Sequence, residues 1–205
     1  MLCFWSSGHD GAFPYAGDVT ASPRSLDYGE GREALLAATV TVTARKGLRG
    51  LTFRAVAEAA GVSNSLIAHY FGTRDELLSA ALVWSAERSI DAADLSQYSS
   101  DIDAFRTALV ENILAEPEIH AFQFEMLLEA SRQPQLRDTA RTLYERYVGA
   151  VAEGRAAAGL NPNPELSRAI FAALDGLMIQ YLSRAISAEE FARSIDALST
   201  AVRTG

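Results

Sequence analysis

The chain has 205 residues, a single cysteine and a formal net charge of −8 at pH 7. This length suffices for one or two domains with a sizeable hydrophobic core, and the lone Cys3 excludes an internal disulfide framework and a cysteine-based metal site. No apolar run approaches the roughly 20 residues of a membrane-spanning helix, and residues 1–28 lack the basic start and apolar stretch of a signal peptide. We therefore expect a soluble, cytoplasmic protein.

The acidic charge is unevenly distributed along the chain. Residues 30–78 carry six basic and five acidic side chains, whereas residues 1–29 have a net charge of −2 and residues 79–205 one of −7. Because contacts to DNA phosphates need basic side chains, only the block 30–78 is suited to face DNA. We interpret residues 1–28 as a flexible extension, either an arm that adds DNA contacts or a segment with no role. Arg24, its only basic residue, favours the second interpretation.

Apolar residues recur at three- and four-residue spacing and nowhere alternate with period two, which predicts an all-α fold. Short helices come first: one ends at Gly47, a second begins after the N-cap Thr52 and ends at Gly61, and Ser63 and Thr73 are placed to cap a third and a fourth. Longer helices are expected over about 74–94, 101–115, 118–131, 135–159, 164–185 and 188–203.

Residues 52–71 combine a capped helix, a glycine turn and a second capped helix, which is the geometry of a helix-turn-helix. In such a unit the second helix lies in the major groove while caps and backbone amides contact phosphates. A short helix, a glycine and another helix also occur in ordinary bundles, so the geometry alone leaves DNA binding open.

The stretch from Leu35 to Leu78 resembles the TetR family of one-component repressors without a gap. The residues that carry the resemblance are Gly47, Thr52, Val56-Ala57, Ala60-Gly61-Val62-Ser63, Tyr70-Phe71 and Thr73-Arg74-Asp75-Glu76-Leu77. The resemblance implies an N-terminal three-helix helix-turn-helix DNA-binding domain over residues 29–75, followed by a C-terminal helical ligand-sensing and dimerisation domain over residues 76–205. It also implies a repressor, not an enzyme, whose homodimer binds a palindromic double-stranded DNA operator. A small apolar or aromatic effector would release the repressor from this operator.

The positions that match the family's DNA-contacting residues lie at the starts of the second and fourth helices and along the third. They are Thr52, Arg54, Ser63, Asn64, Ser65, Leu66, His69, Tyr70 and Arg74. Arg74 stands where the family usually has lysine and is expected to hold a phosphate. Ala68 replaces a tyrosine that often reaches the phosphate backbone. His69 and Tyr70 either take over that contact or pack against the fourth helix. Thr43 replaces a usual aromatic residue in the first helix, which indicates a smaller core there.

Large and polar side chains in the C-terminal part are candidates for an effector pocket, although each is also suited to an ordinary core. They are Trp84, Phe105, His120, Gln123, Phe124, Tyr144, Tyr147 and Met178.

The last two helices each carry an apolar face, and pairing with a second copy would form a four-helix dimer interface. The faces consist of Ile170, Leu174, Leu177 and Tyr181 on one helix and Phe191, Ile195, Leu198 and Val202 on the other. The alternative is that both faces pack within one protomer. We favour the dimer, because two operator half-sites need two recognition helices.

The histidines His9, His69 and His120 are far apart in sequence, and we expect neither a metal ion nor a cofactor. Nucleophile elbows, phosphate-binding glycine loops and dinucleotide fingerprints are missing from the sequence, so we expect no catalytic residue. Two other functions stay open. One is a DNA-associated protein that recruits a protein partner and has a solid core without an effector pocket. The other is a helical enzyme or carrier whose DNA-binding head is vestigial.

Overall fold

The computed structural model describes residues 28–92 and 102–204. Every regular element in this part of the chain is a helix, which confirms the all-α prediction. Most of the predicted N-terminal extension lies outside the described residues. None of the described helices is both long and apolar enough to span a membrane. The helices are α1 (Tyr28–Gly50), α2 (Phe53–Ala60), α3 (Asn64–Tyr70), α4 (Arg74–Ala92), α5 (Ile102–Ala115), α6 (Pro117–Ala130), α7 (Arg137–Ala157), α8 (Pro164–Leu182) and α9 (Ala188–Thr204), with a 3-10 turn at Pro134–Leu136.

Local sequence determines where the helices of the N-terminal head begin and end. Gly47 interrupts α1 at a φ of 66°, a backbone conformation that favours glycine. Thr52 caps α2 by accepting a hydrogen bond from the Ala55 amide at 3.1 Å, and Gly61 ends α2 in the left-handed region. These three residues play the roles predicted from the sequence.

The starts of α3 and α4 differ in their capping. Thr73 and Glu76 form a capping box, in which each side chain accepts a hydrogen bond from the other residue's backbone amide at 3.1 Å. Ser63 occupies the N-cap position of α3, but its hydroxyl makes no capping bond and instead lies 2.9 Å from the Ser65 hydroxyl. The prediction that Ser63 caps α3 with its side chain is therefore wrong.

One hydrophobic core runs from the head into the C-terminal body. Fully buried side chains such as Leu35 on α1, Val56 on α2 and Leu78 on α4 belong to the same cluster as Phe122 and Met126 on α6. Helix α1 packs against α2, α4 and α6, and α4 continues from the head to α7. The head is thus held on the body by two helices, α4 and α6, that also belong to the body.

The apolar faces predicted for the dimer contact point into the protomer. Phe191 and Ile195 are buried around a second cluster formed by α5, α8 and α9, and Ile170 is buried as well. These three residues have at most 9% of their surface exposed, which is too little for a dimer contact, so the prediction that they form one is wrong. The others, Leu174, Leu177, Tyr181, Leu198 and Val202, are half-buried, and each packs against this cluster or lines the cavity described below. These five side chains pack within the protomer but keep part of their surface exposed, so their place in a dimer contact stays a prediction.

Candidate DNA-contacting surface and sensor cavity

Helix α3 presents a polar face to solvent and is anchored by one buried residue. Ile67 is completely buried, whereas Asn64, Ser65, Ala68 and His69 are exposed along the opposite side. The exposed residues are separated by one, three and one positions, which puts them on a single helix face. This face is the part of α3 that can enter a DNA groove. Ala68 gives it a short, apolar centre.

Two of the residues predicted to contact DNA lie nearer the core. Leu66 and Tyr70 are half-buried and pack against the hydrophobic cluster of the head. Both side chains lie close to Gly31 on α1. If Gly31 carried a Cβ atom, this atom would lie 3.4 Å from Leu66 Cδ2 and 3.6 Å from the Tyr70 hydroxyl. The structure therefore gives Leu66 and Tyr70 a packing role that the exposed face of α3 does not have.

Other polar and basic residues predicted to contact DNA lie at the starts of α2 and α3. Thr52, Arg54 and Ser63 are all exposed. The side chain of Arg54 is 82% exposed and its Nε donates to Glu58 Oε1 at 2.9 Å, one helical turn away. An exposed pair of this kind is weak in water. Arg54 can therefore exchange Glu58 for a phosphate at little cost.

Arg74 has an internal partner that the sequence did not reveal. Its Nη2 donates to the Leu48 carbonyl oxygen at 2.6 Å, just after the kink in α1. The side chain is half-buried, so at least part of the guanidinium fastens the end of α1 to the start of α4. Arginine has five N–H donors, and those not used by Leu48 can still reach a ligand outside.

The C-terminal body encloses a cavity of about 330 Å³ among α4 to α9. Six of the eight side chains predicted for an effector pocket lie on its wall. Trp84 does not, and instead packs beside Arg88, whose guanidinium carbon is 5.7 Å from the ring centroid. The side chain of Phe105 lies outside the described residues. The six are His120, Gln123, Phe124, Tyr144, Tyr147 and Met178.

The polar groups of the cavity wall fall into two sets. Gln123 is committed to a buried network, because its amide nitrogen donates to Ser85 and Ser89 and its oxygen accepts from Tyr147 at 3.0 Å. His120 makes no hydrogen bond within the described part of the chain. Burial lowers the pKa of His120 to about 4, so the imidazole is neutral at pH 7.

An acidic residue that the sequence reasoning did not select also lines the cavity. Asp175 on α8 is half-buried, and the hydroxyl of Tyr144 on α7 acts on its carboxylate. Burial raises the pKa of Asp175 to about 6, against the opposing effect of this hydroxyl. Burial and the neighbouring carboxylate raise the pKa of Tyr144 to about 12. The sequence signal was available, because Asp175 lies on the same helix face as Phe171 and Met178, both of which are buried.

Helix α6 connects this cavity with the DNA-binding head. At its first turn, Glu118 accepts hydrogen bonds from Thr41 at 2.9 Å and from Arg45 at 2.6 Å, both on α1. Two and five residues further along, the same helix contributes His120 and Gln123 to the cavity wall. The sequence did not predict these contacts, which join residues more than 70 positions apart.

Family models match both parts of the chain. The model described as "Bacterial regulatory proteins, tetR family" matches residues 35–81, and the one described as "Tetracyclin repressor-like, C-terminal domain" matches residues 100–204.

Individual relatives extend this likeness. The nicotine-responsive transcriptional repressor HdnoR of Paenarthrobacter nicotinovorans is 28% identical over 169 residues, which cover 74% of this chain and 84% of the relative. A TetR-family regulator from Rhodococcus sp. has a solved structure that is 27% identical and superposes with a TM-score of 0.70, covering 84% of this chain and 98% of the other. A solved regulator from Saccharomonospora viridis in complex with choline shares the fold, with 22% identity, a TM-score of 0.68 and coverage of 82% and 95%. The chain therefore belongs to the TetR family, whose members are DNA-binding transcriptional regulators and not enzymes.

Proposed function

We propose that this chain is a cytoplasmic repressor that binds a palindromic operator as a homodimer and is released when a small apolar or aromatic effector fills the cavity. The nicotine-responsive repressor related to this chain and the choline complex of a protein with the same fold support a small organic effector. The residues proposed to contact DNA are Thr52, Arg54, Ser63, Asn64, Ser65 and His69 on the exposed surface, with Leu66, Tyr70 and Arg74 mainly supporting them.

The observation that carries this proposal is the double role of α6. Its first turn is bonded to α1 of the head through Glu118, and its following turns form part of the cavity wall through His120 and Gln123. An effector that needs a different position of α6 would move α1 and, with it, the recognition helix. Such an effector shifts the dimer towards a spacing of recognition helices that no longer fits two adjacent major grooves.

The outward face of α8 is the surface we propose for the dimer contact. The large apolar side chains of Leu166 and Ile179 are 37% and 50% exposed on this face. Between them lie the exposed small residues Ala169 and Ala172 at helical spacing. Small residues allow two helices to approach closely, so this face is suited to pack against its symmetry mate.

The cavity in the C-terminal body also helps to choose between a sensor and a DNA-associated protein without an effector. Such a protein would gain stability from a filled core, since cavities destabilise a fold. The wall of this cavity has mostly apolar side chains with a few polar groups, which is the composition of ligand pockets. A sensor is therefore favoured over an interaction protein.

The experiment that tests DNA recognition is selection of bound sequences from a random pool, followed by affinity measurements at several salt concentrations. We expect one palindrome with half-sites about one helical turn apart. Arg54→Ala removes one proposed phosphate contact from each protomer, so it should reduce the salt slope of the dimer by about 2 and weaken binding about tenfold for each protomer.

Arg141→Ala is the matched control for this substitution. Arg141 is also an exposed arginine in an ion pair within one helix, 3.2 Å from Asp138, but it lies on α7 and is not among the residues proposed to contact DNA. Operator affinity should be unchanged in this variant. Equal losses in the two variants would contradict the assignment of the DNA-contacting surface, and failure to enrich any sequence would contradict the proposed repressor.

A further inference from the structure

The wall of the cavity contains two side chains that carry a charge at neutral pH, Asp175 and Arg155. Arg155 is buried and already bound, because its Nε donates to the Asn161 carbonyl at 3.0 Å and its Nη1 to the Val202 carbonyl at 3.4 Å. These carbonyls lie just beyond α7 and near the end of α9, so the guanidinium holds two chain segments together. Its charge is directed at the protein's own backbone.

Asp175 differs in this respect. Among the side chains that the structure describes, no basic group pairs with the Asp175 carboxylate, and the Tyr144 hydroxyl is the polar group that acts on it. A half-buried carboxylate without a counter-ion is costly, and its raised pKa reflects that cost. A positive group placed in the cavity would remove this cost, whereas a neutral or negative group would not.

Aromatic rings stand next to the carboxylate. Tyr147 and Phe171 are stacked with ring centroids 4.9 Å apart, and Tyr144 meets Phe171 edge-on at 5.9 Å with an interplanar angle of 78°. All three residues line the cavity together with Asp175. The faces of aromatic rings attract cations, and they also accept the methyl or methylene groups around a charged nitrogen.

We propose that the cavity binds an organic cation, a protonated amine or quaternary ammonium with an apolar body, whose charge lies beside the Asp175 carboxylate and against the ring of Tyr144. This inference rests on the sensor function proposed above and specifies the class of its effector. The remaining wall is largely apolar and accommodates the uncharged part of the molecule.

The test uses probes that differ in charge and hardly in shape. Benzyltrimethylammonium and its carbon isostere neopentylbenzene are titrated calorimetrically into the full-length protein, and a wider set of size-matched cations, neutral compounds and carboxylates is screened by thermal shift and by release of the operator. We expect the cation to bind at least about tenfold more tightly than the isostere. The compounds that stabilise the protein and release the operator should be mainly cations.

The variant Asp175→Asn should remove the preference for the cation while leaving the affinity for the isostere within about threefold of wild type. Glu153→Gln, which removes an exposed carboxylate from α7, serves as the control and should keep the preference. Retained operator binding by Asp175→Asn establishes that this variant is folded.

The pH profile adds a second readout. Benzyltrimethylammonium does not titrate, so a change in its affinity with pH reports on the groups of the cavity wall. Besides Asp175, the described wall holds His120, whose pKa is near 4, two tyrosines whose pKa values are raised, and the basic Arg155. The affinity for the cation should be close to full above about pH 7, about half of that at pH 6 and lower still towards pH 5 as Asp175 takes up a proton, and Asp175→Asn should give a flat profile.

The inference is overturned if the isostere binds as tightly as the cation, if cations are not enriched among the stabilising compounds, or if carboxylates bind through Arg155. Release of the operator by neutral or acidic compounds would overturn the cationic effector and leave the proposed sensor standing. If no compound of any class bound the cavity or released the operator, the proposed sensor would fall together with this inference.

Discussion

The buried hydrogen-bond network around Gln123 predicts that removing the Tyr147 hydroxyl lowers the free energy of unfolding by a measurable amount. The Gln123 amide nitrogen donates to Ser85 at 3.3 Å and Ser89 at 3.2 Å on α4, and the amide oxygen accepts from Tyr147 on α7 at 3.0 Å. Tyr147→Phe deletes this last donor and keeps the aromatic ring that stacks on Phe171. The variant therefore isolates the hydrogen bond from the packing.

The size of the effect follows from the burial of Gln123. Only 5% of this residue is exposed, so its amide oxygen would lose its donor in a nearly dry environment. A buried acceptor without a partner costs about 1–3 kcal/mol. Because Gln123 also borders the cavity, a water molecule can reach the oxygen, which puts the expected loss at about 1–2 kcal/mol of unfolding free energy.

The assay is urea unfolding at a fixed protomer concentration, since dimerisation makes the apparent stability depend on concentration. Tyr181→Phe is the matched control: Tyr181 is half-buried and packs against Phe191, but its hydroxyl makes no hydrogen bond in the described part of the chain. It should change the unfolding free energy by less than about 0.5 kcal/mol. In a double-mutant cycle, Tyr147→Phe and Gln123→Met should be non-additive. An unchanged urea midpoint for Tyr147→Phe, or an equal loss for the control, would refute the reasoning.

Two further substitutions test single contacts in the head. Thr43→Val should raise the unfolding free energy by about 1 kcal/mol, because the buried Thr43 hydroxyl has no partner. Thr39→Val, whose hydroxyl donates to the Leu35 carbonyl at 2.7 Å, should give no such gain, and equal changes in both variants by urea unfolding would contradict this contrast. Arg74→Met should lower the unfolding free energy by about 1 kcal/mol through loss of the bond to Leu48. Unchanged unfolding of Arg74→Met would mean that this bond does not hold α1 to α4.

The elements that could be predicted from the sequence are those determined by neighbouring residues. The caps at Thr52 and Thr73 and the breaks at Gly47 and Gly61 depend on side chains and backbone angles within one helical turn, and the structure confirms all four. Ser63 failed as a side-chain cap because another local partner, Ser65, holds its hydroxyl. Contacts between distant segments, such as Glu118 with Thr41 and Arg45, leave no local signal in the sequence and could not have been predicted.

Assigning Ile170, Phe191 and Ile195 to the dimer contact was wrong for a physical reason. The reason applies to any helix that packs on its own protomer with one face and on a second chain with another. Apolar periodicity indicates which side of a helix avoids water, but it does not distinguish a protomer's core from a second chain. In α8 and α9 the strongest apolar stripes, which include Ile170 and Phe191, fill the protomer. The outward face of α8 has small residues, Ala169 and Ala172, between Leu166 and Ile179, so its apolar character is weaker in the sequence than that of the inward stripe.

The inward stripe of α8 also contains the most informative exception to this periodicity. Phe171, Asp175 and Met178 share one face of the helix, and a carboxylate among buried apolar residues opposes folding unless something favours its charge. The neighbouring Tyr144 hydroxyl favours the carboxylate but does not neutralise its charge. Asp175 thus destabilises the protein without its effector, and the proposed cationic effector would offset this cost by binding beside the carboxylate. An acidic residue on the buried stripe of a sensor helix is thus a signal for effector chemistry that the amino-acid sequence itself carries.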